Sequence, residues 1–363
     1  MARRGENIYK RKDGRWEGRY KCGFDTNGKT KYHSVYARTY NEVKEKLSEI
    51  RTESVASVSS GKLTLKELFS EWLSAIRFKV KDSTYANYRM KTEKHILPEF
   101  SGLFYSSLSA KLVHDFIQKK LECGLSPKYV SDIIVVFKSM MKYISLEHGY
   151  NNPLVNVILP KSPKKELALF SETEQINLQK CISDNIDTTK IGIMLSYYTG
   201  LRIGEVCGLK WSDIDFEKNT ITVSRTVQRI MRKNGSKSTE LIVSSPKSVT
   251  SKRTIPLPEF LCDILKNHRS DNNSYILSNS EKITEPRTMQ YRFKSILKKA
   301  GLPSVNYHSL RHMFATNCIK LGFDVKTLSE ILGHSNVETT LNRYVHSSME
   351  RKIICMKLIS KIA

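Results

Sequence analysis

The sequence predicts a mostly α-helical protein with small β-sheets, in three parts: an N-terminal three-stranded sheet plus helix, a helical bundle, and a mixed α+β domain. Three observations predict it. Residues 7–37 alternate in short runs cut by Asp13-Gly14 and Asn27-Gly28, dipeptides that favour tight hairpin turns. From Thr64 to Gly149, apolar residues recur at i, i+3, i+4 and i+7 in four successive segments, the period of amphipathic helices. Beyond Ser171 the helical period resumes, interrupted by strand-like runs around 220–230, 240–245 and 253–257. A chain of 363 residues exceeds one ordinary core, since domains usually run about 100 to 200 residues. The boundaries fall at 1–55, 63–152 and 168–363.

The first part reads as strands over 7–12, 15–24 and 29–37, then a helix capped by Thr39 with Val43, Leu47 and Ile50 on one face. Its strands mix Arg15, Trp16, Arg19, Tyr20, Lys21, Lys31 and Tyr32, cations and aromatics suited to a phosphate-lined groove. Trp16 and Tyr20 are read instead as the module's own core. One motif is a decoy: GFDTNGKT at 23–30 matches the phosphate-loop pattern GxxxxGKT. Such a loop needs a buried strand before it and a helix after it, whose amides hold the phosphates. Here an alternating strand follows and Asp25 would repel phosphate, so the segment reads as a hairpin turn.

Residues 52–62, TESVASVSSGK, are small and polar and read as a linker. Thr64 caps the first bundle helix, carrying Leu65, Leu68, Phe69, Trp72, Leu73 and Ile76; Ser83 opens a second, which Pro98 is expected to stop. A third runs from Ser109 through Leu112, Val113, Phe116 and Ile117 to Gly124. The fourth starts at Ser126-Pro127, turns Val130, Ile133, Ile134, Phe137, Met141 and Ile144 inward, and ends near Gly149. The basic stretch PKSPKKE at 160–166 reads as a second linker, and Ser171 with Glu174 as a capping box that starts the last domain.

Lys and Arg number 60 against 36 Asp and Glu, a net charge of +24 with a pI near 9.6. A surface of that sign attracts polyanions, so nucleic acid is the expected partner. Residues 1–40 concentrate the charge, with 11 Lys or Arg and 4 Asp or Glu. The seven cysteines include no C-x-x-C pair and read as small apolar residues in a reducing compartment. The N-terminus shows no signal-peptide stretch, and no run approaches the roughly 18 apolar residues of a membrane span. The expected location is cytoplasmic, nucleoid-associated when bound to DNA.

The last part holds one polar set in one order: Arg202 inside TGLRIGEVCGLKW, Lys247 inside SSPKSVTSKRTIPL, His308 and Arg311 inside HSLRH, His334 inside LGHSN, and Tyr344. It has no metal-ligand spacing, and neither a metal nor a cofactor is expected. Two guanidiniums, an ammonium, two imidazoles and a phenol suit a reaction at a phosphodiester better than one at a carbonyl, with the phenol attacking and the cations holding the charge. Singly, each residue has a duller reading. An arginine near a helix start is commonly a surface charge, Lys247 a solvated hairpin residue, and Tyr344, three residues after Leu341 and seven after Val337, a core tyrosine. Tyr307 is read as core, His312 as facing away from the site and His346 as exposed. Joint occurrence decides for the set, because six required residues in one order rarely arise by chance.

In combination and order, these motifs resemble the catalytic domain of the tyrosine recombinase family, the integrases of phages and conjugative transposons. Residues 63–152 resemble that family's helical core-binding domain, and residues 1–55 its arm-type DNA-binding domain. The resemblance implies a site-specific DNA recombinase that integrates and excises a mobile genetic element through a 3′-phosphotyrosine intermediate. Tyr344 is then the nucleophile, with Arg202 and Arg311 donating paired N–H groups to the non-bridging phosphate oxygens. His308 is base or proton relay for a phenol whose unperturbed pKa is about 10, Lys247 is general acid to the departing 5′-oxygen, and His334 reaches the same phosphate from the loop after Gly333. Glu205 holds Arg202 or His308 in place.

The covalent link conserves the energy of the broken bond, so religation needs neither nucleotide nor metal. Arg15, Arg19, Lys21 and Lys31 are the candidate DNA contacts of the first domain. Implied partners are double-stranded DNA attachment sites, four copies of the chain exchanging strands pairwise, and an excisionase or host DNA-bending protein. The tail after Tyr344 docks on a neighbour or on its own domain. A type IB topoisomerase shares the chemistry without partner exchange, and the arm-like module and tail argue against it. A DNA-binding regulator without catalysis is disfavoured because no member of the polar set is missing.

Overall fold

The computed structural model describes residues 7–24, 30–57, 63–163, 169–231, 239–244, 252–344 and 353. The chain divides into two compact units, Met1–Lys164 and Lys165–Ala363. In the first, β1 (Ile8–Lys10), β2 (Trp16–Phe24) and β3 (Thr30–Ala37) form an antiparallel sheet in that order. Phe24 pairs with Thr30, so the GFDTNGKT motif ends in a strand rather than a helix. The next element, α1 (Tyr40–Ser57), begins where the Thr39 hydroxyl accepts from the Glu42 amide at 3.3 Å.

The alternation of the strands splits the sheet into two faces. One packs Ile8, Trp16, Tyr20, Val35 and Ala37 with Val43 and Leu47 of α1, the core role read for Trp16 and Tyr20. Gly18 lies on the same face, where a Cβ would stand 2.5 Å from Val43 Cγ1 and 2.6 Å from Leu47 Cδ1, so glycine sets how closely the helix can approach. The expected linker at 52–62 needs correction, because α1 runs on to Ser57. Neither Pro nor Gly stands between Tyr40 and Ser57 to stop it.

The bundle comprises α2 (Leu65–Ile76), α3 (Asp82–Lys91), α4 (Leu97–Phe100), α5 (Ala110–Glu122) and α6 (Pro127–Glu147). Thr64 and Glu67 form a capping box on α2, Ser109 caps α5, and Ser126 caps α6. Pro98 does not stop the second helix. A π-helical turn over Thr92–Ile96 leads from α3 into α4, with Pro98 in its first turn, where an amide has no helical partner to lose. Leu65, Phe69, Trp72, Val113, Phe116, Ile133 and Phe137 lie in one buried cluster. Each such side chain contributes about 1.5–3 kcal/mol when fully buried.

The second unit opens with α7 (Glu172–Ser183), carrying the expected Ser171–Glu174 box, followed by α8 (Thr188–Thr199) and α9 (Ile203–Gly208). Strands β4 (Ile214–Asp215) and β5 (Thr220–Val223) come next, then β6 (Thr226–Met231), β7 (Thr239–Ser244) and β8 (Arg253–Pro256). The run 220–230 is therefore two strands rather than one: β5 joins the sheet β4-β5-β8, whereas β6 pairs with β7. The helices α10 (Glu259–Asn267), α11 (Pro286–Lys299), α12 (His308–Lys320), α13 (Val325–Leu332) and α14 (Val337–Tyr344) complete the unit. Tyr307 is core as read: 3% exposed, it donates to the Gly192 carbonyl at 2.8 Å and accepts from the Ser196 hydroxyl at 3.0 Å. Burial pushes its phenol pKa up. Among the described residues no helix is long and apolar enough to cross a membrane.

Candidate active site

The site is assembled where helices stop. Gly200 ends α8 in the left-handed conformation, φ 69°, and Arg202 is the residue from which α9 starts. Glu205, three residues on, returns its carboxylate to that start: Oε2 accepts from the Arg202 amide at 2.9 Å and Oε1 from Arg202 Nη1 at 2.8 Å. Arg202 Nη2 donates to the Gly333 carbonyl at 3.2 Å. Of the two alternatives for Glu205, holding Arg202 is thus observed.

A third arginine, unforeseen in the sequence, completes the cluster. Arg253 opens β8 and grips the same carboxylate, Nη2 to Oε2 at 3.0 Å and Nη1 to Oε1 at 3.2 Å. Its Nε donates to the Ile331 carbonyl at 2.6 Å. Burial works to raise the Glu205 pKa, but the hydrogen bonds from Arg253 and the charges of Arg253 and Arg202 outweigh it and hold the carboxyl below its ordinary range.

Arg311 lies on α12, only 2% exposed. Nη1 donates to the Gly200 carbonyl and Nη2 to the Leu332 carbonyl, both at 2.8 Å. These carbonyls close α8 and α13, the negative ends of both helices, where a cation is favoured. Burial first, and the Arg202 and Arg253 charges second, push the Arg311 pKa down to about 9, against the opposing pull of Glu205 and Tyr344. The fork remains charged at neutral pH.

Tyr344 ends α14 and is 7% exposed, packed with Ala315, Cys318, Leu328 and Leu332. The ring is core, as one reading had it, and its hydroxyl shares a 2.7 Å hydrogen bond with His312 Nδ1. The expectation that His312 faces away from the site is wrong. It is 3% exposed, and the exposed His308 ring stands edge-on to it at 4.6 Å. Residues four apart share a helix face, so the HSLRH spacing itself carries the signal. His334 follows Gly333, which ends α13 at φ 64°; its amide donates to the Ser329 carbonyl at 3.0 Å, and its Nδ1 shares a 2.8 Å hydrogen bond with the buried Thr340 hydroxyl.

The remaining site candidates fall elsewhere. Lys247 and His346 lie outside the described residues. Arg15 pairs with Asp13 at 2.8 Å. Arg19 pairs with Glu17 at 2.8 Å and lies over the Tyr9 ring. Lys21 is in register with Tyr32, and Lys31 with Gly23. Of the tail, only Ile353 is described, and it is exposed.

The geometry brings Arg202, Glu205, Arg253, Arg311 and the Gly333–His334 backbone into one connected set, with Tyr344 close enough to act on the charge of Arg311 and the imidazoles of His312 and His308 beside that phenol. On this fold, such a set defines a site-specific recombinase of the tyrosine class. The chain belongs to the phage integrase family, whose model matches residues 168–351; residues 64–121 match the phage integrase N-terminal SAM-like domain. A XerC-like tyrosine recombinase of Caldanaerobacter subterraneus is 28% identical over 94% of each chain. The tyrosine recombinase XerC of Staphylococcus aureus is 32% identical over 61% of this chain and 71% of its own. Among solved structures, the Tn1549 transposon integrase in complex with a circular intermediate DNA superposes with a TM-score of 0.67 at 22% identity, covering 82% of this chain and all of that one. A lambda integrase dimer bound to a core site gives 0.60 at 17% identity over 95% and 97% of the two chains. These two share the fold.

Proposed function

We propose that this chain integrates and excises a mobile genetic element by cutting and rejoining DNA through a 3′-phosphotyrosine on Tyr344. The observation that carries the reading is the 2.7 Å hydrogen bond between the Tyr344 hydroxyl and His312 Nδ1, beside a buried guanidinium whose charge interacts with the phenol. With Nδ1 unprotonated, the phenol donates to it, and His312 is the first acceptor of the proton as the oxygen attacks phosphorus. His308, edge-on to His312, relays it. Arg202 and Arg311 hold the non-bridging oxygens as charge grows on the pentavalent phosphorus, His334 assists from its loop, and Lys247 protonates the departing 5′-oxygen.

The surrounding chain takes matching roles. Residues 1–55 bind arm-type sites, 63–152 clasp the core site and 168–363 perform the chemistry. The sheet face opposite α1 supports the first assignment, for it presents Arg11 and Arg19 with Tyr9 and Tyr36. Double-stranded DNA is the substrate, and four copies exchange strands on it, as a lambda integrase tetramer is seen bound to a Holliday junction; an excisionase or host DNA-bending protein sets direction. The test is incubation with a nicked duplex that the wild-type chain itself selects, by covalent capture, from a randomised pool. A denaturing gel should show protein left on the DNA, and peptide mapping should find it on Tyr344. Tyr344→Phe must lose the adduct; a variant that still joins strands would remove the mechanism.

A further inference from the structure

Arg253 has no place in the reaction as described, yet it holds the carboxylate that holds Arg202 and lies against the loop that leads to His334. Its guanidinium is 7% exposed at the side chain. Both terminal nitrogens hold Glu205, whose carboxylate also holds Arg202. Nε holds the Ile331 carbonyl. The plane of the group lies against Gly333, where a Cβ would stand 2.9 Å from Nη1 and 3.1 Å from Cδ and Cζ. One side chain thus fixes the partner of Arg202 and the loop that leads to His334. It does so from the first residue of β8, six positions after Lys247.

The charge arithmetic gives this contact a chemical purpose. Glu205 with Arg202 alone is a neutral pair, which would offer little to a phosphodiester. A second guanidinium on the same carboxylate leaves the three groups together with one net positive charge, which at short range favours a phosphodiester. We infer that Arg253 is a positioning residue for strand cleavage: it neutralises Glu205 so that the charge of Arg202 stays available to the phosphate, and it locks Arg202 and the Gly333–His334 backbone in one geometry. The inference rests on the function proposed above.

Full-length Arg253→Lys, Arg253→Met and Arg253→Met/Glu205→Gln chains are compared with wild type in single-turnover cleavage of the selected nicked duplex. The double variant leaves no uncompensated buried carboxylate, so it reports on a folded site even where Arg253→Met alone unfolds. Expected rates are about 10-fold lower for the lysine variant, which keeps charge without the fork, and about 100-fold lower for both methionine variants; in the double variant Arg202 keeps its full charge, but neither Glu205 nor Arg253 is left to hold it and the Gly333 loop in place. Duplex affinity should stay within about 3-fold, as a group that touches no DNA requires.

A second duplex carries sulfur as the 5′-bridging atom, a leaving group that needs no acid. It should not rescue the variants, because their defect lies in holding the phosphate. Cleavage within about 3-fold of wild type in the double variant, rescue by the bridging sulfur, or a loss that tracks affinity would each overturn the inference. A wild-type chain that captures no duplex would instead overturn the function beneath it.

Discussion

Two carboxylates in this molecule each hold a pair of arginines, and they do so to opposite effect. Glu17, in the N-terminal sheet, accepts from Arg19 at 2.8 Å, Arg11 at 3.0 Å and the Ser34 hydroxyl at 2.8 Å. Glu205 accepts from Arg202 and Arg253. Both carboxylates are 3% exposed. The difference lies in how the arginines are held: Arg11 and Arg19 are 41% and 52% exposed at the side chain, whereas at Glu205 the half-buried Arg202, 36% exposed, and the buried Arg253, 7% exposed, are both also tied to backbone carbonyls. At Glu17, the carboxylate is a tether for cations that remain on the surface, stacked on Tyr9 and Tyr36. At Glu205, it is one node of a closed set that fixes where charge stands. A surface ion pair is worth little and adjusts to its ligand; a buried one is costly to break and holds its geometry.

The largest expected contrast is chemical. Glu205→Gln should slow single-turnover cleavage by about 100-fold or more, while Glu17→Gln should change it by less than about 3-fold at saturating DNA, its arginines being on the surface. Equal effects would erase the distinction. His312→Ala should cost about 100-fold in adduct formation, within the range of general acid–base catalysis; an unaltered rate, with His308→Ala inactive, would return the proton to His308.

Glycine substitutions sharpen the comparison in stability. Gly333→Ala meets both a left-handed backbone and Arg253, for about 2–3 kcal/mol read from thermal melting. Gly14→Ala at φ 87° meets open space and should cost only about 1 kcal/mol.

Acid gives a further separation. Hydrogen bonds from Arg19 and Ser34, with Arg11 adding to them against burial, hold Glu17 at about 2. Its folded pKa lies below the usual 4.5, so its contribution is complete above that pH and is lost as pH falls through 2. Amide exchange of residues 8–37 in the full chain should therefore accelerate over that window, and less so in Glu17→Gln. The smallest effect is in binding: Arg19→Ala should reduce the slope of log affinity against log salt by about 1.

Much of this architecture was legible because the signals were local. The capping residues Thr64, Ser109, Ser126 and Ser171 mark helix starts that the structure repeats, and strand alternation sorted Trp16 and Tyr20 to the core. The misses share a physical cause, which is dependence on distant partners. Pro98 ends a helix in isolation, but here it sits in the first turn of a new one after a π turn. The run 220–230 has one β-propensity and two sheets, a choice made by which strand returns beside it. Arg253 sits within the motif around Lys247 but reads as surface charge until Glu205 and Ile331 stand beside it. His312 was readable in principle from its place four residues after His308, yet what it binds is set by a helix 32 residues away.

Arg311 joins the last carbonyls of two helices that the chain keeps 132 residues apart, Gly200 and Leu332. It is thereby a rivet of the scaffold as well as a candidate for chemistry. Substituting it will injure folding and turnover together, so a dead Arg311 variant says little about mechanism, while an Arg202 variant speaks more cleanly. A descendant that abandoned recombination and kept only its grip on DNA would still need this arginine long after Tyr344 had drifted away.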